Sequence, residues 1–155
     1  LMGQLAVKVC YTKGAEWVDE LVQYIYENVK YMSKFVKENF PKAKMVEPEG
    51  TYLVWVDFSG YGLSNEELEH LMLEEAKLWL DSGIIFGPET AQFERFNVAC
   101  PRVTLEQALT QLKDALDNIW QIRKKDERTS KMDKQKKNTW SSSISSADCI
   151  SLHVM

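Results

Sequence analysis

The sequence predicts an α/β fold, in the α+β sense, in which long helices accompany a few short strands. Three stretches carry this expectation. Between residues 15 and 39, apolar side chains recur at the helical period: Trp17, Leu21, Tyr24, Ile25, Met32, Phe35 and Val36. Residues 51–58 are rich in aromatic and β-branched side chains and bounded by turn residues, the pattern of a strand. Residues 93–102, Phe-Glu-Arg-Phe-Asn-Val-Ala-Cys-Pro-Arg, are short, β-prone and alternating.

Taken in order, residues 1–11 are apolar and helix-compatible, and Gly14 breaks them. The helix over residues 15–39 stops at Pro41, which cannot continue it. Residues 44–46 suit a short strand before Pro48. In the strand over 51–58, Tyr52, Val54, Val56 and Phe58 share one face, and Leu53 and Trp55 share the other. Both faces are apolar, so a central strand covered on both sides is expected. Ser59-Gly60-Tyr61-Gly62 makes a turn. Ser64 and Glu67 form a capping box that opens a helix reaching about residue 80. Short strands follow at 84–86 and 95–100. Thr104 and Gln107 form a second capping box, after which Leu105, Ala108, Leu109, Leu112, Leu116 and Ile119 make one apolar stripe.

A chain of 155 residues allows one folded domain, and 45% apolar content with five Trp is enough for its core. That domain is expected over residues 1–125. The charge is uneven. Residues 1–122 hold 11 basic and 19 acidic side chains, net −8, whereas residues 123–137 hold 8 and 3, net +5. An acidic body argues against nucleic acid as partner, and the basic run lacks the interleaved aromatics that stack bases. Residues 126–155 have no periodic apolar face and are expected to form a disordered tail. There is no apolar run long enough to span a bilayer and no basic leader of a signal peptide. Cys10, Cys100 and Cys149 are scattered and odd in number, and only His70 and His153 are present. No disulfide framework or metal site is expected, and a reducing cytoplasmic setting fits.

The chemistry concentrates near residue 95. On a strand, Arg95, Asn97 and Ala99 face one way, and Phe96, Val98 and Cys100 the other. Arg offers a fork of donors that matches a carboxylate two bonds at a time, which suits an amino-acid or oxo-acid substrate. A surface arginine in an ion pair is the plainer reading of the same residue. Arg102 competes as the carboxylate anchor, although its place before a helix suits a structural role. Asp57 reads as a turn acceptor, Cys100 as a small apolar filler, His70 as solvent-exposed, and Lys77 as the partner of Glu74.

Four segments follow one another in a recognisable order: Gly14-Ala15-Glu16-Trp17, Glu49-Gly50-Thr51-Tyr52-Leu53-Val54-Trp55-Val56-Asp57-Phe58, Gly83-Ile84-Ile85-Phe86-Gly87, and the Arg95 segment. Over residues 1–122 the chain resembles the C-terminal part of class I/II aminotransferase-like enzymes of pyridoxal 5′-phosphate (PLP) fold type I. It most resembles the MalY/PatB group of cystathionine β-lyases. The resemblance implies a small, mainly antiparallel sheet covered by helices. It implies a PLP-dependent parent, a β-lyase or an aminotransferase, that is homodimeric and contains a large PLP-binding domain. It places the substrate α-carboxylate on Arg95, with Asn97 beside it. Tyr52 is a further candidate, for the substrate entrance, although an aromatic on a central strand is more often core. The family's Schiff-base lysine segment is absent here, so the chain alone is expected to be inactive, with no catalytic residue of its own. Where the family has a Gly-rich loop, this chain has Pro88-Glu89-Thr90-Ala91-Gln92. A non-catalytic binding or interaction module derived from the same fold is the alternative, using exposed apolar residues of the first two helices.

Overall fold

The structure, a computed structural model, describes residues 2–145. The chain divides into two compact units, residues 1–115 and 116–155.

The first unit opens with α1, Met2–Lys13, and α2, Ala15–Asn39. Between them, the Gly14 N–H bonds to the Cys10 carbonyl at 3.0 Å. A Cβ on Gly14 would stand 2.5 Å from that oxygen, so the close turn requires glycine here. α2 buries Asn28, Met32 and Val36, one stripe at a spacing of four. Phe40 closes the helix with its N–H on the Val36 carbonyl, and Pro41 follows.

The sheet has four strands in the order β1-β2-β4-β3: Lys44–Met45, Leu53–Asp57, Phe93–Asn97 and Asp81–Ser82. Every pairing is antiparallel. The register lines up cross-strand rows. Trp55, Arg95 and Asp81 form one row, and Val56, Glu94 and Ser82 form the next. Because successive side chains alternate, adjacent rows lie on opposite faces. One face is core, where Val54, Val56, Phe58, Phe96 and Val98 are buried with Leu68, Leu71, Leu105, Leu109 and Leu112 from the helices. The other face carries Leu53, Trp55, Phe93 and Arg95, all half-buried. β2 is therefore central in order, but its second face is not fully covered, contrary to the expectation from its apolar residues.

α3, Asn65–His70, starts at Ser64 with both bonds of the capping box in place. It does not reach residue 80. A π-helical turn, Leu71–Glu75, ends it, with the Ala76 N–H on the Leu71 carbonyl. Lys77 then takes φ 55°, a left-handed terminator that frees residues 78–80 to lead into β3. The strand expected at 84–86 lies instead at Asp81–Ser82, and Gly83–Phe86 is a 3₁₀ turn. Thr90 Oγ1 holds that turn by donating to the Gly83 and Gly87 carbonyls. α4, Arg102–Ser145, starts two residues before the Thr104 expected as its cap. The Thr104 and Leu105 N–H groups bond to the Pro101 carbonyl, so Pro101 opens the helix.

The described part of the second unit is the remainder of α4. Lys124 Nζ sits 5.5 Å from the Trp120 ring centre, and Thr129 Oγ1 donates to the Lys125 carbonyl. The sequence places a disordered tail from residue 126, yet the backbone is helical to Ser145. The reason is local propensity: residues 102–145 contain no Gly or Pro, and 123–137 consist largely of Lys, Arg, Gln, Glu and Met. The rest of that expectation, residues 146–155, lies outside the described residues. No helix among the described residues is long and apolar enough to cross a membrane.

Candidate functional site

Arg95 stands at the centre of the open sheet face. Its neighbour across β3 is Asp81, and its neighbour across β2 is Trp55. Arg95 Nη2 donates to Asp81 Oδ2 at 2.7 Å and Nε donates to the same oxygen at 3.2 Å. The guanidinium carbon lies 4.7 Å from the Phe86 ring centre and 5.8 Å from that of Trp55. Phe86 and Trp55 are themselves packed edge to face at 5.1 Å, and Trp55 and Phe93 at 6.3 Å. The charge is thus held between aromatic faces and one carboxylate, with its side chain 23% exposed. A cation fixed in this way, with donors still accessible, can take an anion from solution.

The other expected site residues fall nearby without joining this cluster. Asn97 shares the Arg95 face by alternation and is exposed, but its Oδ1 accepts from the Ala99 N–H at 2.9 Å. Its carbonyl group therefore shapes the turn after β4. Tyr52 precedes β2 and is 46% exposed, and its main-chain carbonyl accepts from the Val98 N–H. Neither residue shares a hydrogen bond with Arg95.

Arg102 is engaged elsewhere. Its Nε donates to Asn28 Oδ1 at 2.8 Å, its N–H donates to Tyr24 Oη at 2.7 Å, and its guanidinium carbon lies 4.6 Å from the Tyr31 ring centre. Asn28, fully buried, completes the knot by donating Nδ2 to the Val98 and Cys100 carbonyls, each at 2.9 Å. Arg102 and Asn28 tie α2 to the chain leaving β4, which fixes the strand that carries Arg95. Asn28 is absent from the sequence reading. The available signal is a polar residue on the apolar stripe of α2, four residues from Met32 and four from Tyr24.

Glu94 is the second residue missed. It is buried on the core face, and it is pushed up to about 7 by burial first, then by the negative charges of Glu69 and Asp81, against a hydrogen bond from Ser82. Strand parity alone puts Glu94 with Phe96 and Val98. Burial also pushes the Cys100 thiol up, which agrees with an apolar filler and disfavours a thiolate. Among the described residues no group of His, Cys, Asp and Glu side chains could hold a metal ion.

No protein-family model matches the sequence. Individual relatives do. The chain is 41% identical over 111 residues to cystathionine β-lyase PatB of Bacillus subtilis, which spans 72% of this chain and 29% of that protein. It is 31% identical over 106 residues to protein MalY of Escherichia coli, spanning 68% of this chain and 27% of that one. Among solved structures, cystalysin from Treponema denticola, which contains pyridoxal 5′-phosphate, superposes with a TM-score of 0.74 at 32% identity. That match covers 76% of this chain and 30% of cystalysin. The chain spans less than a third of the length of these relatives.

PLP, the cofactor of the parent enzymes, needs a lysine for its Schiff base. A Schiff-base lysine is activated by burial or by a neighbouring group. No described lysine is buried. Lys30, Lys34 and Lys77 pair with Glu27, Glu38 and Glu74 on helix or turn surfaces. The described residues therefore do not fit as the holder of the cofactor. The one carboxylate that the described residues place on Arg95 is that of Asp81. The homologues of this chain are MalY/PatB-type cystathionine β-lyases and PLP-dependent aminotransferases, and its helices and small antiparallel sheet belong to the PLP fold type I family.

Proposed function

We propose that this chain is the C-terminal, small-domain portion of a PLP-dependent enzyme that acts on an amino acid, a carbon–sulfur β-lyase or an aminotransferase. Its contribution is to hold the substrate α-carboxylate on Arg95, with Asn97 and Tyr52 at the margin of the site. The observation that carries this is the Arg95 cluster: a guanidinium on a half-exposed sheet face, beside the rings of Phe86 and Trp55, in a chain whose homologues use PLP. Such a fork binds a carboxylate through paired charge-assisted hydrogen bonds and turns it relative to the bond that reacts.

The lysine and the cofactor's anchoring groups come from a large domain outside this chain. The surface of the first two helices supports such a partner. α1 buries none of its residues, and Met2, Leu5, Val9, Tyr11, Trp17 and Val22 are all exposed. A short helix that buries nothing has little to hold it in water, and exposed apolar side chains in this number suit an interface. The functional part of the chain ends near residue 125, the working enzyme is a homodimer, and its setting is cytoplasmic. The same apolar surface also favours the second reading, a binding module without catalysis.

The test is complementation. The chain is mixed with a separately expressed large domain from a homologous β-lyase, PLP and L-cystathionine, and pyruvate release is followed. Activity from the mixture, and none from this chain alone, is expected. Borohydride reduction of this chain with PLP should label no single lysine stoichiometrically. Stoichiometric labelling with β-lyase activity from this chain alone would overturn the fragment reading. Tight association with the large domain but no turnover would favour the binding module.

A further inference from the structure

We propose that Asp81 is the positioning residue for Arg95: it clamps one edge of the guanidinium and leaves the other edge open for a carboxylate. The inference rests on the carboxylate-anchor reading and deepens it.

The geometry is specific. Arg95 carries five N–H donors, on Nε, Nη1 and Nη2. Asp81 receives two of them, from Nε and Nη2, and both reach the same oxygen, Oδ2. An arginine meeting a carboxylate freely tends to pair fork to fork, one nitrogen to each oxygen. Here the pair is skewed onto a single oxygen. Asp81 and Arg95 are held directly opposite each other by the β3–β4 register, so the approach is set by backbone rather than by side-chain preference. The Nη1 protons and one Nη2 proton remain as a second fork. Among the described residues the Arg95 side chain makes no other hydrogen bond, and the rings of Phe86 and Trp55 lie beside it. Neither ring takes a hydrogen bond from the remaining donors, and 23% of the Arg95 side chain stays exposed.

The clamp answers a physical problem. A free arginine side chain loses rotamer freedom on binding, which consumes much of what a single ion pair offers. Asp81 settles that loss before substrate arrives. It does so from a half-exposed position, with 50% of its side chain accessible, so solvent screens its charge from the incoming carboxylate. Because both bonds fall on one oxygen, an amide oxygen can replace it. Asp81→Asn keeps the acceptor and removes the charge, while Asp81→Ala removes both.

The experiment uses the intact 155-residue chain at low salt and propionate as the carboxylate probe. Proton–nitrogen spectra of the Arg95 Nε–H group report the clamp, and its displacement on titration reports binding. In the wild type and in Asp81→Asn, the Nε–H resonance should be sharp and shifted from that of a free arginine, with propionate affinities within about threefold of each other. In Asp81→Ala the resonance should collapse to the free position, and the affinity should fall about tenfold, the loss expected when one arginine side chain must be ordered on binding. Thermal unfolding of all variants shows whether each is folded, and Asp81→Asn carries the test if Asp81→Ala is not. An Asp81→Ala variant that binds propionate as the wild type does, or an Asp81→Asn variant that loses the shifted resonance, would overturn the clamp. If propionate moves no Arg95 signal in the wild type while the shifted Nε–H persists, the carboxylate-anchor reading fails and the clamp stands.

Discussion

Two adjacent residues of β4 meet opposite environments. Glu94 lies in the row Val56–Glu94–Ser82 on the core face, and Arg95 lies in the row Trp55–Arg95–Asp81 on the open face. Glu94 is an acid removed from water with two acids as its charged neighbours, so its neutral form is favoured. Arg95 keeps partial access to water and faces an acid, whose oxygen holds the guanidinium in place. The period of two in the strand does all the sorting. A one-residue slip would place the arginine in the core and the acid among the aromatics, so the register decides which of the two reaches solvent.

The comparison is broken most easily by deleting one aromatic from each face. Phe96, on the core face, is 4% exposed, and Phe96→Ala should cost about 3–5 kcal/mol, the cost of a buried phenylalanine with its cavity. Phe86, on the open face, is 47% exposed, and Phe86→Ala should cost about 1 kcal/mol, mainly its ring contact with Trp55. Urea unfolding measures both. Equal losses would mean that the two faces are not energetically distinct.

Asn28→Ala should rank just below Phe96→Ala, at about 3 kcal/mol. It strips partners from the Val98 and Cys100 carbonyls and from Arg102 Nε. Asn28→Asp should not rescue it, because a carboxylate has no donor for the two carbonyls. Rescue by Asp would show that the Arg102 bond alone matters.

Glu94 gives a pH signature with a definite sign. Its carboxyl is raised from 4.5 to about 7, so between those values the folded chain holds a proton that the unfolded chain releases. Its contribution to stability is complete below about pH 4.5 and is lost as pH rises to 7, by up to about 3 kcal/mol. Glu94→Gln should be flatter than the wild type across this window in urea unfolding at stepped pH. Parallel pH profiles for the two proteins would show that Glu94 titrates normally.

Much of the fold is legible in the sequence, and the reasons are local. The bounds of α2 follow from Gly14, the apolar period and Pro41. The α3 start follows from Ser64 and Glu67, whose side chains act within one turn. The elements that differ are those decided by partners distant in sequence. Asp81–Ser82 is a strand because β4 lies beside it, although Ile84 to Phe86 has the better β composition. The π turn at Leu71–Glu75 has no sequence mark that periodicity would detect. For the site, strand parity exposes Arg95 and buries Phe96 and Val98, and the resemblance to PLP enzymes gives the arginine its meaning. Asp81, Phe86 and Trp55 join it only through sheet register and the 3₁₀ turn, which a single sequence does not encode at short range. Asn97 and Tyr52 are on the page in sequence but stand outside the hydrogen-bonded cluster.

On the proposed reading Arg95, and not Arg102, meets the substrate carboxylate. The most direct test is steady-state kinetics with L-cystathionine on this chain complemented by a large PLP-binding domain, comparing Arg95→Lys with Arg102→Lys. Losing a bidentate contact should lower kcat/KM about a hundredfold in Arg95→Lys, since a point charge cannot reproduce the fork. Thermal stability should change little, because the Arg95–Asp81 pair is partly exposed. Arg102→Lys should lower stability through the Asn28 knot while leaving kcat/KM within a few-fold. The reverse pattern, with Arg102→Lys abolishing substrate saturation and Arg95→Lys turning over normally, would contradict the account.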